Sequence, residues 1–482
     1  MIDGSNPSPE PTPWWARSAT ELAAAISAGE VTSRAVVESF LGRVERINPV
    51  VNAATVVFPE QALDEADKAD KMLASGGDVG PLHGVPFSVK ENIDLTWSPS
   101  TSGVAAFQGP PPPEDDVLVT RMRAVGAIPI IRTNMPDLGM RWHTDNALFG
   151  ETLNPWDPSR SCGGSSGGEA VAIATGMSPV GLGNDYGGSL RLPAFAAGIC
   201  ALRPTLGRVP LYRPGPTPPI PLTGQLFAVQ GPMGRTVDDV ATAFGVIQGP
   251  DLDDPWTSPV PWSDAYAGPR RVAVVTNPAD GGIDPDIAAV VRRAAGVLAT
   301  AGWDVEEVEP PRIADAALFW RQMSTSELES DLFNPDGPIF GLLSEGARRY
   351  MSDNIAATET VDLLGFNHAI AQRLAIGAAW RRFQARYPVV LGPVSTQQMF
   401  GKEFDLTGPE ATTEQWHAHR LLVTVNLLGL PSLAIPLGVS AAGLPEGVQL
   451  IGPAFGEAAC LAAGRDIEAA VGRGSLAEPA GA

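Results

Sequence analysis

The chain has 482 residues, enough for about three typical domains or for one large α/β enzyme built around a single sheet. Lys and Arg number 33 against 54 Asp and Glu, so the net charge of −21 disfavours nucleic acid and anionic membrane as partners. Hydrophobic residues make up 44% and charged residues 18%, which excludes a disordered acidic chain. We expect a globular protein without nucleic-acid or membrane partners, present as a monomer or homodimer.

The cysteine content indicates the compartment and bears on metal binding. Cys162, Cys200 and Cys460 form no CxxC pair, which argues against a disulfide framework and against a structural zinc site. The first residues contain no apolar segment of the kind that serves as an export signal. We therefore expect a cytoplasmic protein that uses neither a metal nor another cofactor.

In chain order, the predicted elements begin with helices. Residues 1–16 are rich in proline and predict a disordered leader. The segment from Ser18 to Glu21 matches a capping box that opens a helix ending near residue 28. Further helices are predicted after Thr32 and over residues 60–74, so residues 17–75 are interpreted as N-terminal helices that lead into the sheet.

Strand and helix patterns alternate over residues 76–309, the predicted core. The strand patterns include VPFSVK, AIPIIRTN, SPVGLGND and RVAVVTNP. This alternation predicts an α/β fold with a single large mixed sheet flanked by helices on both faces. A helical insertion is predicted over 310–425. The strands PSLAIPLG and GVQLIGP then complete the core over 426–470, and a flexible tail is predicted over 471–482.

A lysine ends the strand pattern in PLHGVPFSVKEN. Because Val85, Phe87 and Val89 alternate, Lys90 is expected on the opposite face near the carboxyl end of the strand, where open α/β sheets place their sites. Lys90 is either an ordinary lysine that extends to water or a buried base whose pKa is lowered from about 10.4. In the second case it can act as a general base.

Paired glycines flank two serines in SCGGSSGG, residues 161–168, directly before an apolar helical pattern. Both Ser165 and Ser166 satisfy G-x-S-x-G, so a nucleophile elbow with a Ser/Asp/His triad is one alternative. That triad needs a later histidine on a loop. The later histidines all stand in helical patterns, and they are His368, His417 and His419. The other alternative is a closely packed glycine loop.

A second glycine loop occurs in GLGNDYGGSLRLPA, residues 181–194. A predicted strand runs there into Gly187, Gly188 and Ser189 before an apolar helix. Successive backbone N–H groups in such a turn can point at one position beside the serine hydroxyl, which is how an oxyanion hole is built. Neither GxGxxG nor GxxxxGK[ST] is present, so nucleotide binding is not predicted.

Together these segments resemble the amidase signature family. PLHGVPFSVKEN resembles its lysine strand, NPWDPSRSCGGSSGG its cis-serine loop and GLGNDYGGSLRLPA its nucleophile loop. Ser165 and Ser189 are 24 residues apart, the interval that this family keeps between its catalytic serines. The similarity extends from about residue 17 to about residue 470 and is weakest over 310–425.

The resemblance implies a serine amidohydrolase that forms an acyl-enzyme on Ser189. Lys90 would be the base, and Ser165, after a cis peptide bond from Gly164, would bridge the lysine to the nucleophile. The oxyanion would be held by the backbone N–H groups of Tyr186, Gly187, Gly188 and Ser189. The supporting residues would be Ser166, Asp185 and Arg191.

Some residues depart from the family pattern. Asn184 and Tyr186 stand where many members carry Thr, and Arg203 stands where Lys is usual. Cys162, beside the serine loop, could be considered as a thiol nucleophile, but no companion histidine accompanies it, so a packed structural cysteine is expected.

Aromatic residues bear on the substrate. We expect Trp142, Trp156 and Tyr186 to line the pocket, and most apolar side chains of the insertion to lie in the core. The latter are Phe319, Trp320, Met323, Phe333, Phe340, Phe366, Trp380 and Met399. The expected substrate is a small, apolar amide or carbamate (urethane) with an aryl group. The alternatives are a glutamine-hydrolysing subunit of a tRNA-dependent amidotransferase and a catalytically inactive binding homologue.

Overall fold

The N-terminal helices begin where the sequence provides their caps. In the computed structural model, which describes residues 12–211, 220–331, 334 and 336–481, α1 spans Ala19–Ser27. Ser18 Oγ accepts the Glu21 N–H at 3.1 Å and Glu21 Oε2 accepts the Ser18 N–H at 2.8 Å, which confirms the predicted capping box. Helices α2 (Ser33–Val51) and α3 (Pro59–Ala74) follow, and α2 begins after its cap Thr32.

Within the described residues, eleven strands form one mixed sheet. They are β1 (Ala54–Val57), β2 (Pro86–Lys90), β3 (Ile128–Thr133), β4 (Val180–Asp185), β5 (Cys200–Arg203), β6 (Val229–Gly234), β7 (Arg271–Val274), β8 (Asp304–Glu307), β9 (Val389–Gly392), β10 (Ser432–Val439) and β11 (Pro445–Ile451). Their order is β1-β3-β2-β4-β6-β5-β10-β11-β9-β7-β8. Strand β2 is parallel to β3 and to β4, whereas β4 is antiparallel to β6. The prediction of a single mixed sheet is confirmed.

Helices cover both faces of the sheet. Those after α3 are α4 (Val117–Ala124), α5 (Gly167–Ala174), α6 (Arg191–Ala197), α7 (Leu222–Phe227), α8 (Val237–Ile247), α9 (Pro285–Thr300), α10 (Ile313–Ser330), α11 (Glu345–Ala357), α12 (Leu363–Gln384), α13 (Pro409–Ala418), α14 (Arg420–Leu428) and α15 (Glu457–Val471). Alternate strand residues enter two different cores, as in β7, where Val272 and Val274 pack into one and Ala273 into the other. One core contains residues of α2, α8 and α15, and the other contains residues of α6, α10 and α14.

The parallel pairing of β2 with β4 positions the candidate site. In this register Ser88 lies beside Gly181 and Val89 beside Leu182, so the carboxyl ends of both strands meet at one edge of the sheet. Lys90 ends β2 and Asp185 ends β4. The serine loop enters α5 and the second glycine loop enters α6 beside this edge, which brings the three predicted motifs together.

Three segments differ from the predicted organisation. The block over 310–425 is not wholly helical, because VVLG forms β9 between α12 and α13 and pairs with β7 and β11. Within the predicted leader, Trp14–Ala16 form a short 3₁₀ turn, and the Arg43 guanidinium lies 3.9 Å from the centre of the Trp15 ring. Leader residues 1–11 lie outside the described residues.

The predicted flexible tail also packs against the body of the protein. The Ala477 N–H donates to the Ala174 carbonyl at 2.9 Å, and Ala477 is buried. Arg43, itself buried, forms an ion pair of 2.8 Å with Glu478. Among the helices of the described chain, none combines the length and the apolar character that crossing a membrane requires.

Candidate active site

Lys90 lies at the buried end of β2 and does not extend to water. Its side chain is fully buried, and Nζ lies 2.7 Å from Ser165 Oγ, 2.9 Å from Ser166 Oγ and 2.6 Å from Asn184 Oδ1. The interpretation as an ordinary surface lysine is therefore wrong. All three contacts are neutral groups, so no carboxylate touches the amine.

Burial lowers the pKa of Lys90 to about 7, although the charges of Asp185 and Glu169 act in the opposite direction. A lysine with this pKa is substantially neutral near neutral pH and carries a lone pair. It can then accept one proton while donating its two N–H bonds to the other acceptors. The amine at the end of β2 is thus equipped to act as a base.

The serine loop is held closely against neighbouring backbone. The peptide bond between Gly164 and Ser165 is cis, as the resemblance implies. A Cβ at position 164 would lie 2.5 Å from the Arg141 carbonyl oxygen, and a Cβ at position 168 would lie 2.4 Å from the Asn134 nitrogen. Only glycine fits at these positions. Their packing excludes the simple flexible Gly/Ser turn and fixes where the two serines stand.

Ser189 meets the serine loop at the edge of a cavity. The Ser166 N–H donates to the Ser189 carbonyl at 3.3 Å, and Ser165 and Ser189 both line the cavity. The structure therefore brings Lys90, Ser165 and Ser189 together in one place, although they come from β2, the start of α5 and the start of α6.

Asp185 organises the second glycine loop through paired charges. Arg191 Nε donates to Asp185 Oδ2 at 3.0 Å, and Asp185 Oδ1 accepts from Arg203 Nη1 at 3.1 Å and from Asn426 Nδ2 at 2.7 Å. Burial alone would raise the pKa of this carboxyl, but the two guanidinium groups hold it well below its usual range. Asp185 therefore remains charged, and Arg191 and Arg203 anchor it.

One predicted oxyanion donor needs correction. The Gly188 N–H donates to Asp185 Oδ1 at 2.8 Å, so this N–H already has a partner and is not available to a substrate oxygen. Among the described residues, no acceptor is found for the N–H groups of Tyr186, Gly187 or Ser189. Gly188 instead supplies conformation, since its φ is +97° and a Cβ there would lie 2.3 Å from Leu422.

The cavity beside Ser189 has a volume of about 270 Å³ and mainly apolar walls. Its large aromatic and apolar lining side chains are Trp142, Tyr186, Trp320, Tyr350, Met351 and Trp416. Two wall residues are anchored at their polar ends: the Trp142 indole N–H donates to the Gly187 carbonyl at 2.8 Å, and Tyr186 Oη lies 2.9 Å from Thr223 Oγ1. These contacts hold the rings as a fixed surface.

The structure divides the predicted pocket residues. Trp142 and Tyr186 line the cavity, whereas Trp156 does not: its indole N–H donates to the Ala197 carbonyl at 2.9 Å, at the far end of α6. Among the residues of the insertion, Trp320 lines the cavity, and Met323 and Trp380 lie in the core as expected. Phe333 lies outside the described residues.

Several cavity residues escaped the sequence interpretation. Asn92 accepts a hydrogen bond of 2.8 Å from Asn184 Nδ2 and so helps to orient the amide that contacts Lys90. Asn92 directly follows the lysine strand, and this adjacency was the only available signal. Tyr350, Met351 and Trp416 come from α11 and α13, in the segment with the weakest family similarity.

The charged side chain among the described lining residues is Arg141, and it is already paired. Its Nε donates to Asp405 Oδ2 at 2.8 Å and its Nη2 donates to Asp405 Oδ1 at 3.0 Å, with both residues buried. Asp145 lies 3.5 Å from Nη1. The part of the cavity that the structure describes therefore offers no unpaired charge to a ligand.

The remaining candidates for chemistry are otherwise engaged. Burial raises the pKa of the Cys162 thiol to about 12, which makes it a poor nucleophile. His419 is buried with its ring 4.5 Å from that of Trp142, and His417 contacts the Gly281 carbonyl. Within the described residues, no group of three or more His, Cys, Asp or Glu side chains is arranged to hold a metal ion.

Comparisons with known proteins agree with this geometry. The family described as Amidase matches residues 35–461. An indoleacetamide hydrolase of Bradyrhizobium diazoefficiens is 38% identical over 458 residues, which cover 95% of this chain and 87% of that protein. A glutamyl-tRNA(Gln) amidotransferase subunit of Acidothermus cellulolyticus is 32% identical, with 94% of each chain covered.

A solved structure supports the same relationship. A bacterial aryl acylamidase of the amidase signature family superposes with a TM-score of 0.81 at 25% identity, covering 95% of this chain and 97% of that one. With its buried lysine, its two glycine-loop serines and this match over most of its length, the chain belongs to the amidase signature family and is a hydrolase that acts on amides.

Proposed function

We propose that the protein hydrolyses small, neutral amides with an aryl-bearing acyl group, of which indole-3-acetamide is a representative, through an acyl-enzyme on Ser189. The observation that carries this proposal is the cavity itself: Ser189 and Ser165 stand at one end, and aromatic walls without an unpaired charge in the described residues form the rest. Aryl carbamates present the same reacting C–N carbonyl to Ser189 and form the second substrate class of the proposal.

Proton transfer in this mechanism runs through Ser165. Neutral Lys90 accepts the proton of Ser165 Oγ over 2.7 Å, while Ser165 takes the proton of Ser189 Oγ. The Ser189 oxygen attacks the carbonyl carbon and a tetrahedral intermediate forms. When the C–N bond breaks, the proton returns from Lys90 through Ser165 to the departing nitrogen. Water then repeats the sequence at the acyl-enzyme and releases the acid.

The oxyanion is assigned to backbone N–H groups of the second glycine loop. Those of Tyr186, Gly187 and Ser189 remain as candidates after the N–H of Gly188 is taken by Asp185. By comparison with other enzymes, each such donor is worth about 3 kcal/mol of transition-state stabilisation. The Asp185 ion pairs support this role, because they fix the loop that carries the donors.

Electrostatics favour a neutral substrate over glutamine. Free glutamine carries an α-ammonium and an α-carboxylate, and desolvating either one without a counter-charge costs several kcal/mol. Arg141 is already bonded to Asp405 through both of its donor positions. The volume of about 270 Å³ also lies near the lower end of small-molecule sites, about 300 Å³, which favours a small substrate.

A substrate panel with the isolated chain tests the proposal. We expect turnover of indole-3-acetamide and phenylacetamide, slower turnover of aryl carbamates, and little turnover of glutamine. Ser189→Ala is the control and should abolish turnover while leaving the circular dichroism spectrum unchanged. Glutamine as the best substrate would refute the substrate class, and a Ser189→Ala variant within tenfold of wild type would refute the nucleophile assignment.

A further inference from the structure

A second buried titratable group lies behind the catalytic lysine, and the mechanism above does not use it. Glu169 stands in the first turn of α5 and is fully buried. Its Oε2 accepts a hydrogen bond of 2.6 Å from Thr133 Oγ1, and its Oε1 contacts Ser88 Oγ. A Cβ at Gly181 would fall on this carboxyl group, so β4 leaves space for it by carrying glycine there.

The contacts of Glu169 suit both of its protonation states. When the carboxyl is ionised, the hydroxyls of Ser88 and Thr133 each donate to one oxygen. When it is protonated, its O–H can donate to Ser88 Oγ, and Ser88 can turn its own proton to the Val180 carbonyl, 3.4 Å away. Neither state leaves a buried polar atom without a partner, so this carboxyl can gain or lose a proton without rearrangement of its surroundings.

The charges around Glu169 leave Lys90 as its counter-ion. The principal elements packed against α5 are β1, β2, β3, β4, β6 and α6. The titratable side chains on these elements are Lys90, Arg132, Asp185 and Arg191. Arg191 is paired with Asp185 at 3.0 Å, and Arg132 bonds to Ser98 Oγ at 2.5 Å and to the Glu91 carbonyl at 3.0 Å. The amine of Lys90 has only neutral groups in contact.

We propose that Glu169 is a positioning residue that sets the proton affinity of Lys90, because its carboxylate stabilises the ammonium form and so fixes the pH at which the enzyme gains a neutral base. The inference rests on the proposed role of Lys90. Burial raises the pKa of Glu169 to about 7, while that of Lys90 is lowered to about 7, so the two groups change charge over the same pH range.

The chain permits a direct measurement on Lys90. Its four lysines are Lys68, Lys71, Lys90 and Lys402, and Lys90 alone is buried. In protein labelled with [ε-¹³C]lysine, the spectrum should contain four signals, and Lys90→Met identifies the signal of Lys90 by its loss. A pH titration of that signal then reports the protonation of the amine in the resting enzyme, without use of a substrate.

Glu169→Gln should lower the titration midpoint of Lys90 by about one pH unit, since a nearby carboxylate is removed. Ser88→Ala keeps the carboxyl but removes one of its donors, so it should shift the midpoint in the same direction by less. The matched control is Glu457→Gln, because Glu457 is also fully buried and accepts its hydrogen bond from Thr205, away from the site. The control should leave the midpoint unchanged.

Two results would overturn the inference: a Lys90 midpoint that is unchanged in Glu169→Gln, or an equal shift in Glu457→Gln. If Glu169→Gln does not fold, an unchanged midpoint in Ser88→Ala has the same force. The acid limb of kcat/KM should move with the signal. If the signal moves and the acid limb does not, Lys90 is not the base and the proposed function fails, while the coupling of Glu169 to Lys90 stands.

Discussion

Replacing Lys90 by methionine should abolish activity and make the protein relatively more stable at neutral pH than at alkaline pH. Burial lowers the pKa of Lys90 from the ordinary 10.5 to about 7. Each pH unit of such a shift corresponds to about 1.4 kcal/mol, so confining this amine costs about 5 kcal/mol below pH 7. The cost vanishes above the unfolded pKa.

The sign of the pH dependence follows from proton binding. Between pH 7 and pH 10.5 the unfolded lysine holds a proton that the folded lysine has lost, so unfolding takes up a proton and the wild-type protein gains stability as the pH rises. Methionine has no proton to exchange. The stability of Lys90→Met relative to wild type should therefore fall by roughly 2 kcal/mol from pH 7 to pH 9.

Urea denaturation of both proteins at pH 7, 8 and 9 measures this difference. The hydrogen bonds lost to Ser165, Ser166 and Asn184 add an offset that is nearly independent of pH, so the slope is the diagnostic quantity. For wild type, kcat/KM should rise with pH and reach half its maximum near pH 7. A stability difference that is constant between pH 7 and pH 9, or an acidic optimum of activity, would refute the reasoning.

Two further substitutions probe the support of the nucleophile loop and the cavity wall. Asp185→Asn removes the charge that Arg191 and Arg203 share, leaves two buried cations uncompensated and should destabilise the protein by about 3 kcal/mol or more, as urea denaturation would show; a change below 1 kcal/mol would contradict the role of the ion pairs. Met351→Ala enlarges the cavity and should raise kcat/KM for bulkier aryl amides relative to indole-3-acetamide by about tenfold, whereas an unchanged ratio would mean that Met351 does not limit substrate size.

The sequence carries the chemistry of this site because three short motifs encode it. Lys90, Ser165 and Ser189 each stand in a segment whose glycines and strand pattern specify local geometry, and the parallel pairing of β2 with β4 brings the segments together. The single mixed sheet followed from the alternation of strands and helices. These features depend on local patterns and on family resemblance, and the fold agrees with both.

The walls of the cavity could not be read in the same way. Met351 and Trp416 lie on helices far along the chain, and a helical pattern shows which face is buried but not what that face meets. Trp142 and Trp156 both flank the serine loop in sequence, yet the indole of one bonds to Gly187 and that of the other to Ala197. Only the tertiary direction of each ring separates them.

The backbone produced further differences. Gly188 stands in the expected turn, but its N–H serves Asp185, a contact that depends on where a side chain three residues earlier turns. Strand β6 contains Gly231 and Pro232, residues that ordinarily weaken strands, and it forms because β4 and β5 pair with it on either side. The apolar run of β9 is equally compatible with a buried helix until its neighbours are known.

The tether of Trp142 has a consequence for how this enzyme can change. Its indole N–H holds the Gly187 carbonyl, which belongs to the loop that carries the nucleophile, while its ring packs against Trp416 at 5.1 Å. A mutation that reshapes this side of the cavity therefore also disturbs the catalytic loop. The opposite side, with Leu328 and Met351, packs in a separate cluster that contains no residue of that loop. New substrate preferences should arise more readily there, so libraries for altered specificity belong on α10 and α11.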